Sequence, residues 1–315
     1  MDFDLDYLLY LQEIREDCGG ELLFLILSAI PLSPVTALIP AILFWCINKN
    51  AGIFIIFNGT IGRVINDLLK GIFCVYRPWI RYTELIPSTM AYSEASSWSF
   101  PSGHTQFVTS IYGSFARFYK KRAPLLILPC ALVILIVAFS RNFLGVHTPQ
   151  DVIIAIAYSV VLIFAAEKLF AWIGKDNERR TLFLLCGLLG TFFVFLILYF
   201  KPYPEDFMNG NLIIDPEKAR IDAFDALGFG WAFFLGWFLE MRFINFKLDV
   251  SFKTKVRRIA IGIGVLAVIS AVIYPLLKLL PFPAVYKFFK GFLPFFSILF
   301  VVPFIFTKVE KKYRL

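Results

Sequence analysis

Charge is scarce in this chain of 315 residues: Asp, Glu, Lys and Arg make up 17% of it, against roughly 25% in a soluble domain. Histidine is scarcer still, with two residues, and cysteine is limited to five. Cys18, Cys46, Cys74, Cys130 and Cys186 form no C-x-x-C pair, which removes the usual zinc and redox motifs and gives no disulfide framework. A single Cys18–Cys74 bridge on one face stays open. The opening MDFDLDYLLYLQEIRED lacks the basic n-region of a secretory signal. What is abundant is apolar: 59% of residues are hydrophobic, 37 of them Phe, and the mean hydropathy is +0.73. That excess is beyond what a soluble core requires and identifies an integral membrane protein. The acidic start then reads as a short amphipathic segment on the membrane surface.

Apolar runs at about 23–47, 51–69, 104–119, 123–140, 150–170, 181–200, 221–240, 259–280 and 290–307 predict about nine transmembrane helices, several shorter than the roughly 20 residues a span requires. Pro31 and Pro34 predict a break in the first. The net charge of +8 is explained by topology better than by nucleic acid, for which no binding is expected. The clusters KKR (120–122), ERR (178–180) and KTKVRR (253–258), with Lys308, Lys311 and Lys312, fall on one side if the N-terminus lies outside and the C-terminus in the cytosol. Lys70, Arg77 and Arg141 go against that bias, beside short loops on the outer face where both histidines also emerge.

These cations belong to three stretches: KGIFCVYRP, which carries Lys70 and Arg77; PSGH, residues 101–104; and SRNFLGVHTPQD, which carries Ser140, Arg141, His147 and Asp151. Two Arg and one Lys suit the oxygens of a phosphoryl group, and Ser102 and Gly103 open a helix whose first N–H groups favour an anion. Two imidazoles can divide phosphoryl transfer between them. One attacks phosphorus while neutral and the other protonates the departing oxygen. Asp151, four residues after His147, shares its helix face and can hold one ring nitrogen protonated, making His147 the nucleophile and His104 the general acid.

Structural readings stand beside these. Thr148-Pro149-Gln150-Asp151 is also a helix start with Asp151 as its capping acid, and Lys70 and Arg77 could snorkel to lipid headgroups. Arg63 and Asp67, an i,i+4 pair, read as a brace within the second span, with Asp67 also within reach of Lys70. Gly228, Gly230 and Gly236, in DALGFGWAFFLGWF, are spaced for close helix packing.

In these three stretches the chain resembles the type 2 phosphatidic acid phosphatase superfamily. Its signature corresponds to Lys70 followed by Arg77–Pro78, to Pro101–Ser102–Gly103–His104, and to Ser140–Arg141, His147 and Asp151, with every position present. The resemblance implies a metal-independent phosphatase acting through a phosphohistidine on His147, with no cofactor. His104 would be the acid and Asp151 the charge partner. Lys70, Arg77, Ser102, Gly103 and Arg141 would form the phosphate cradle, with Ser140 and Asp67 secondary.

The expectation is therefore an all-α polytopic membrane helical bundle with its active site at one membrane face. Residues 1–200 would form the catalytic core and 201–315 three additional spans. The expected substrate is a lipid phosphate monoester, of the phosphatidic acid, phosphatidylglycerol phosphate or sphingoid phosphate type, and the expected surroundings are bilayer lipids. A prenyl diphosphate or sugar-phosphate phosphatase, a lipid phosphotransferase, and a non-enzymatic membrane transporter or lipid-binding protein remain the alternatives. The sequence leaves the oligomeric state open.

Overall fold

A computed structural model describes residues 3–32, 34–92, 95, 97–174, 176–208 and 210–313. Among them the chain is almost wholly helical. Helices α1 (Phe3–Cys18), α2 (Glu21–Ala29), α3 (Pro34–Ile42) and α4 (Lys49–Phe73) lead to two single turns, α5 (Pro78–Arg81) and α6 (Thr89–Tyr92). Helix α7 (Gly103–Val108) continues through a π-helical turn at Thr109–Gly113 into α8 (Ser114–Tyr119). Then follow α9 (Ile127–Phe143), α10 (Pro149–Ile173), α11 (Asn177–Phe200) and a two-residue hairpin, β1 (Phe207–Met208) with β2 (Asn211–Leu212). Helices α12 (Pro216–Leu239), α13 (Phe252–Val268), α14 (Tyr274–Lys278), α15 (Pro283–Phe296) and α16 (Val302–Tyr313) complete the chain.

Seven helical stretches among the described residues are long and apolar enough to cross a membrane, not the nine expected. They are Lys49–Arg81, Pro124–Phe143, Pro149–Ile173, Asn177–Phe200, Pro216–Ile244, Phe252–Lys278 and Pro283–Lys312. The two expected spans that fall short do so for different reasons. Residues 23–47 are broken where the prolines predict, into α2, a 3-10 turn at Ile30–Leu32, α3 and a π-helical turn at Leu43–Ile47. Residues 103–119 form a short helix carrying Thr105, Gln106, Thr109, Ser110 and Ser114, all buried, so this helix presents polar groups to protein rather than an apolar face to lipid. By contrast, α11 leaves Leu185, Leu189 and Phe193 exposed, as a lipid-facing helix does.

The chain divides into two compact units: residues 1–37, 65–165 and 202–219, and residues 38–64, 166–201 and 220–315. In the first, α2 packs on α9 through Phe24, whose ring lies 5.4 Å from Phe139 and 4.2 Å from Phe143. The N-terminal segment is helical, and buried Arg15 ties it down by donating to the carbonyls of Phe143, at 2.9 Å, and Ile86. A small core of Ala91, Ala95, Leu144 and Val146, flanked by Phe24, Leu25 and Trp79, fixes the turn after α9.

In the second unit an aromatic cluster of Phe57, Phe170, Phe183, Phe233 and Trp237 joins α4, α10, α11 and α12. The predicted close packing is present: a Cβ at Gly228 would stand 2.3 Å from Phe288 O and one at Gly230 2.3 Å from Thr191 Cγ2. Arg63 ion-pairs with Asp225 of α12 at 3.5 Å, a partner too distant in sequence to be read from it. None of the five cysteines forms a disulfide, so the Cys18–Cys74 bridge does not form.

Candidate active site

The first stretch is shaped by the end of α4. Cys74 adopts a left-handed conformation (φ 48) and donates its N–H to Lys70 O at 3.0 Å, turning the chain so that Arg77 precedes Pro78 at the start of α5. Lys70, in the last turn of α4, donates to the carbonyls of Trp98 and of Ser99, the latter at 3.2 Å. Buried Arg77 donates from Nε to Ser97 O at 2.8 Å and from Nη1 to Val146 O at 2.9 Å. Asp67 is half-buried, one turn ahead of Lys70.

In the second stretch, buried Ser102 is the N-cap of α7, its Oγ accepting from Thr105 N at 3.4 Å. Asn66 of α4 braces this turn by donating to Pro101 O at 3.3 Å. Gly103 and His104 occupy the first turn of α7, and His104 is half-buried. The backbone N–H of Ser102 donates to Asp151 O at 3.0 Å, which joins the second stretch to the third.

The third stretch begins in the last turn of α9. Ser140 is buried, and its hydroxyl donates to Val137 O of its own helix at 2.7 Å. Arg141, 2% exposed, lies 3.5 Å from Ser28 Oγ of α2. The chain then turns through Gly145 (φ 69), and Asn142 holds the His147 carbonyl at 2.9 Å.

Both readings of Asp151 are realised at once. Its Oδ2 accepts the N–H of Thr148 at 2.9 Å, capping α10, and faces His147 Nδ1 at 3.2 Å. The tautomer of His147 follows from these partners. A carboxylate only accepts, so Nδ1 carries the proton; a guanidinium only donates, and Arg77 Nη1 reaches Nε2 at 3.0 Å, so Nε2 carries the lone pair. Burial, and then the Arg77 guanidinium, hold His147 well below the usual histidine range. The ring is therefore neutral, with the Nε2 lone pair directed at the Arg77 guanidinium.

Lys70, Arg77, Ser102, His147 and Asp151 thus belong to one hydrogen-bonded assembly, with Ser99, Asn66 and Asn142 as members that sequence reasoning did not single out. A cavity of about 270 Å³ opens beside it, walled by Asp151, Phe100, Val75 and Arg81, with Gln150 and Asp4 at its side. Gln150 donates to Asp4 Oδ1 of α1 at 2.7 Å, so the N-terminal helix closes part of this wall. Among the described residues no three His, Cys, Asp or Glu side chains converge as metal ligands would.

Residues 51–178, which take in all three stretches, match the PAP2 superfamily, and residues 224–314 match the family described as PAP2 superfamily phosphatase, transmembrane extension. The chain is homologous to the PAP2 superfamily phosphatases. Phosphatidylglycerophosphatase B of Bacillus subtilis (strain 168) is 27% identical to this PAP2 homologue over 140 residues. That stretch is 42% of the present chain and 64% of the Bacillus protein, less than two thirds of its length. No solved structure matches the chain.

Proposed function

We propose that the protein is a metal-independent lipid phosphatase that works through a phosphohistidine on His147. The observation that carries this reading is the pair of bonds on one ring: Asp151 at Nδ1 and Arg77 at Nε2 make His147 a neutral, oriented nucleophile beside a cation. In the first step the Arg77 Nη1–H leaves Nε2 for a phosphoryl oxygen, and the freed Nε2 lone pair forms a bond to phosphorus while the phosphorus–oxygen bond to the lipid alcohol breaks. His104 gives its proton to that oxygen. In the second step water attacks phosphorus, His104 takes the proton, and the phosphorus–nitrogen bond breaks to free inorganic phosphate. Lys70, Arg77, Ser102, Gly103 and Arg141 hold the phosphoryl oxygens, and Asp151 balances the charge that forms on the ring.

The cavity of about 270 Å³ borders the site through Asp151 but is lined by none of Lys70, Arg77, His104, Arg141 and His147, so the lipid reading is supported by the family and by the apolar spans around the site. The Bacillus relative's name makes phosphatidylglycerol phosphate a first candidate beside phosphatidic acid and sphingoid phosphates. In this reading the broken segment 23–47 and the short helical run 104–119 also cross the bilayer, giving nine crossings with the N-terminus and the site outside. Residues 201–315 are an addition to the catalytic core. Tyr76, next to Arg77, donates to Asp206 at 2.6 Å, which makes the 201–215 loop a reporter for the side on which the site lies. A Glu205→Cys variant, with the five native cysteines replaced, should react with an impermeant maleimide from outside only. Labelling from the cytosol would invert the topology.

The test of activity is phosphate release by purified protein from phosphatidic acid, phosphatidylglycerol phosphate, sphingoid phosphate, prenyl diphosphate and glucose 6-phosphate, with and without EDTA. A lipid monoester should be the preferred substrate, EDTA should leave turnover intact and His147→Ala should abolish it. Turnover that stops on chelation would overturn the metal-free mechanism, and preference for the sugar phosphate would overturn the lipid reading.

A further inference from the structure

Among the described residues, Ser99 is a polar side chain outside the three signature stretches that touches both His147 and Asp151. Ser99 is fully buried, and its hydroxyl donates to Asp151 Oδ2 at 2.5 Å, the same oxygen that faces His147 Nδ1. The Ser99 oxygen stands 3.4 Å from Nδ1 itself. Its main chain is fixed on both sides: the N–H donates to Val75 O at 2.7 Å, and the carbonyl accepts from Lys70 Nζ at 3.2 Å. The carbonyls of Ser97 and Trp98 take the Arg77 Nε and a further Lys70 contact.

Resting on the phosphatase reading, we propose that Ser99 is a positioning residue for the reaction, whose hydroxyl sets the Asp151 carboxylate against His147. Three donors converge on Oδ2: the Thr148 N–H, the His147 Nδ1–H and the Ser99 O–H. The first two come from the turn that carries His147, so neither can fix the carboxylate against the rest of the site. Ser99 can, because its backbone is tied to the stretch that bears Lys70 and Arg77. A hydroxyl at this position couples the charge partner of the nucleophile to the phosphate cradle, and a residue without a donor there leaves the carboxylate held only by the turn that carries His147.

The test is a double-mutant cycle of kcat on the preferred lipid phosphate in detergent micelles, with melting temperatures confirming that each variant is folded. Ser99→Ala should lower kcat about 10–100-fold, the usual loss on removing an outer-shell partner, with KM changed little. Because the effect runs through the Asp151 side chain, Ser99→Ala should add less than about twofold in an Asp151→Ala background, where no side chain is left for Ser99 to set. Full activity in Ser99→Ala, or the whole loss reappearing in the double variant, would overturn the inference. The second outcome would reduce Ser99 to a packing residue. An independent reading uses His104→Gln, which leaves one histidine. Ser99→Ala should then move the Nδ1–H resonance of His147, and an unmoved resonance would also refute the coupling. This second measurement needs no turnover. A wild type inactive on every phosphate would therefore sink the phosphatase reading while the Ser99 contact is still tested.

Discussion

Replacing Asp151 by Asn separates the chemical role of this carboxylate from its role as a helix cap. Three donors meet on Oδ2, so the amide oxygen of Asn takes that position and the NH2 group takes that of Oδ1. The Thr148 cap and the Nδ1–H tautomer of His147 are then retained, and what is lost is charge. At 3.2 Å and an effective dielectric of 20, a full positive ring and the carboxylate attract by about 5 kcal/mol. A half-formed phosphoimidazolium realises roughly half of that, about 2.5 kcal/mol, or about 10²-fold in rate. The assay is steady-state phosphate release, with kcat and KM determined separately. Stability should fall by about 1 kcal/mol or less, because the cap survives. The expected result is a drop of about 10² in kcat with little change in KM. A kcat within about twofold of wild type would refute the reasoning and leave Asp151 as a cap alone.

Three further outcomes are expected. In His104→Gln protein, labelled His147 should remain the neutral Nδ1–H tautomer from neutral pH down to about pH 5, since a lowered pKa keeps the ring uncharged through the range where free histidine titrates; a half-protonated ring near pH 6.5 would contradict this. His104→Ala should lower kcat on a lipid phosphate about 10²–10⁴-fold, and by much less on an aryl phosphate whose leaving group needs no proton; equal losses on both would argue against His104 as the acid. Gly230→Ala should destabilise the protein by about 1–3 kcal/mol, because the new methyl meets Thr191 at 2.3 Å. Gly190→Ala, with nothing within 4 Å, should not lower the melting temperature.

Much of the site was legible because its chemistry is carried by fixed local spacing. The i,i+4 relation of His147 to Asp151 and the Thr148–Pro149 helix start are both sequence-local, and both appear in the structure. Ser99 was not legible. It is one of several serines in SEASSWS, and only the fold shows which of them faces a carboxylate 52 residues away. Asn66 was hidden in the same way, inside a helix that reads as a simple span. Ser140 shows the converse, a signature position whose hydroxyl serves its own helix.

The helical class followed from composition, whereas which apolar runs form long continuous helices did not. Hydropathy counts apolar residues but does not register that Thr105, Gln106, Thr109, Ser110 and Ser114 are all buried within one short helix. The glycine pattern in α12 was readable as close packing, yet its partners, Thr191 and Phe288, lie too far away in sequence for any local pattern to name.

The central claim is a covalent intermediate on one named nitrogen. Rapid quenching of the enzyme during turnover of a lipid substrate labelled in its phosphate, under alkaline conditions that preserve phosphohistidine, followed by peptide mapping, tests it most directly. Label on the peptide containing His147, lost on acid treatment and missing from His147→Ala, is the predicted result; label on any other residue, or a turnover that passes through no labelled protein, would contradict it.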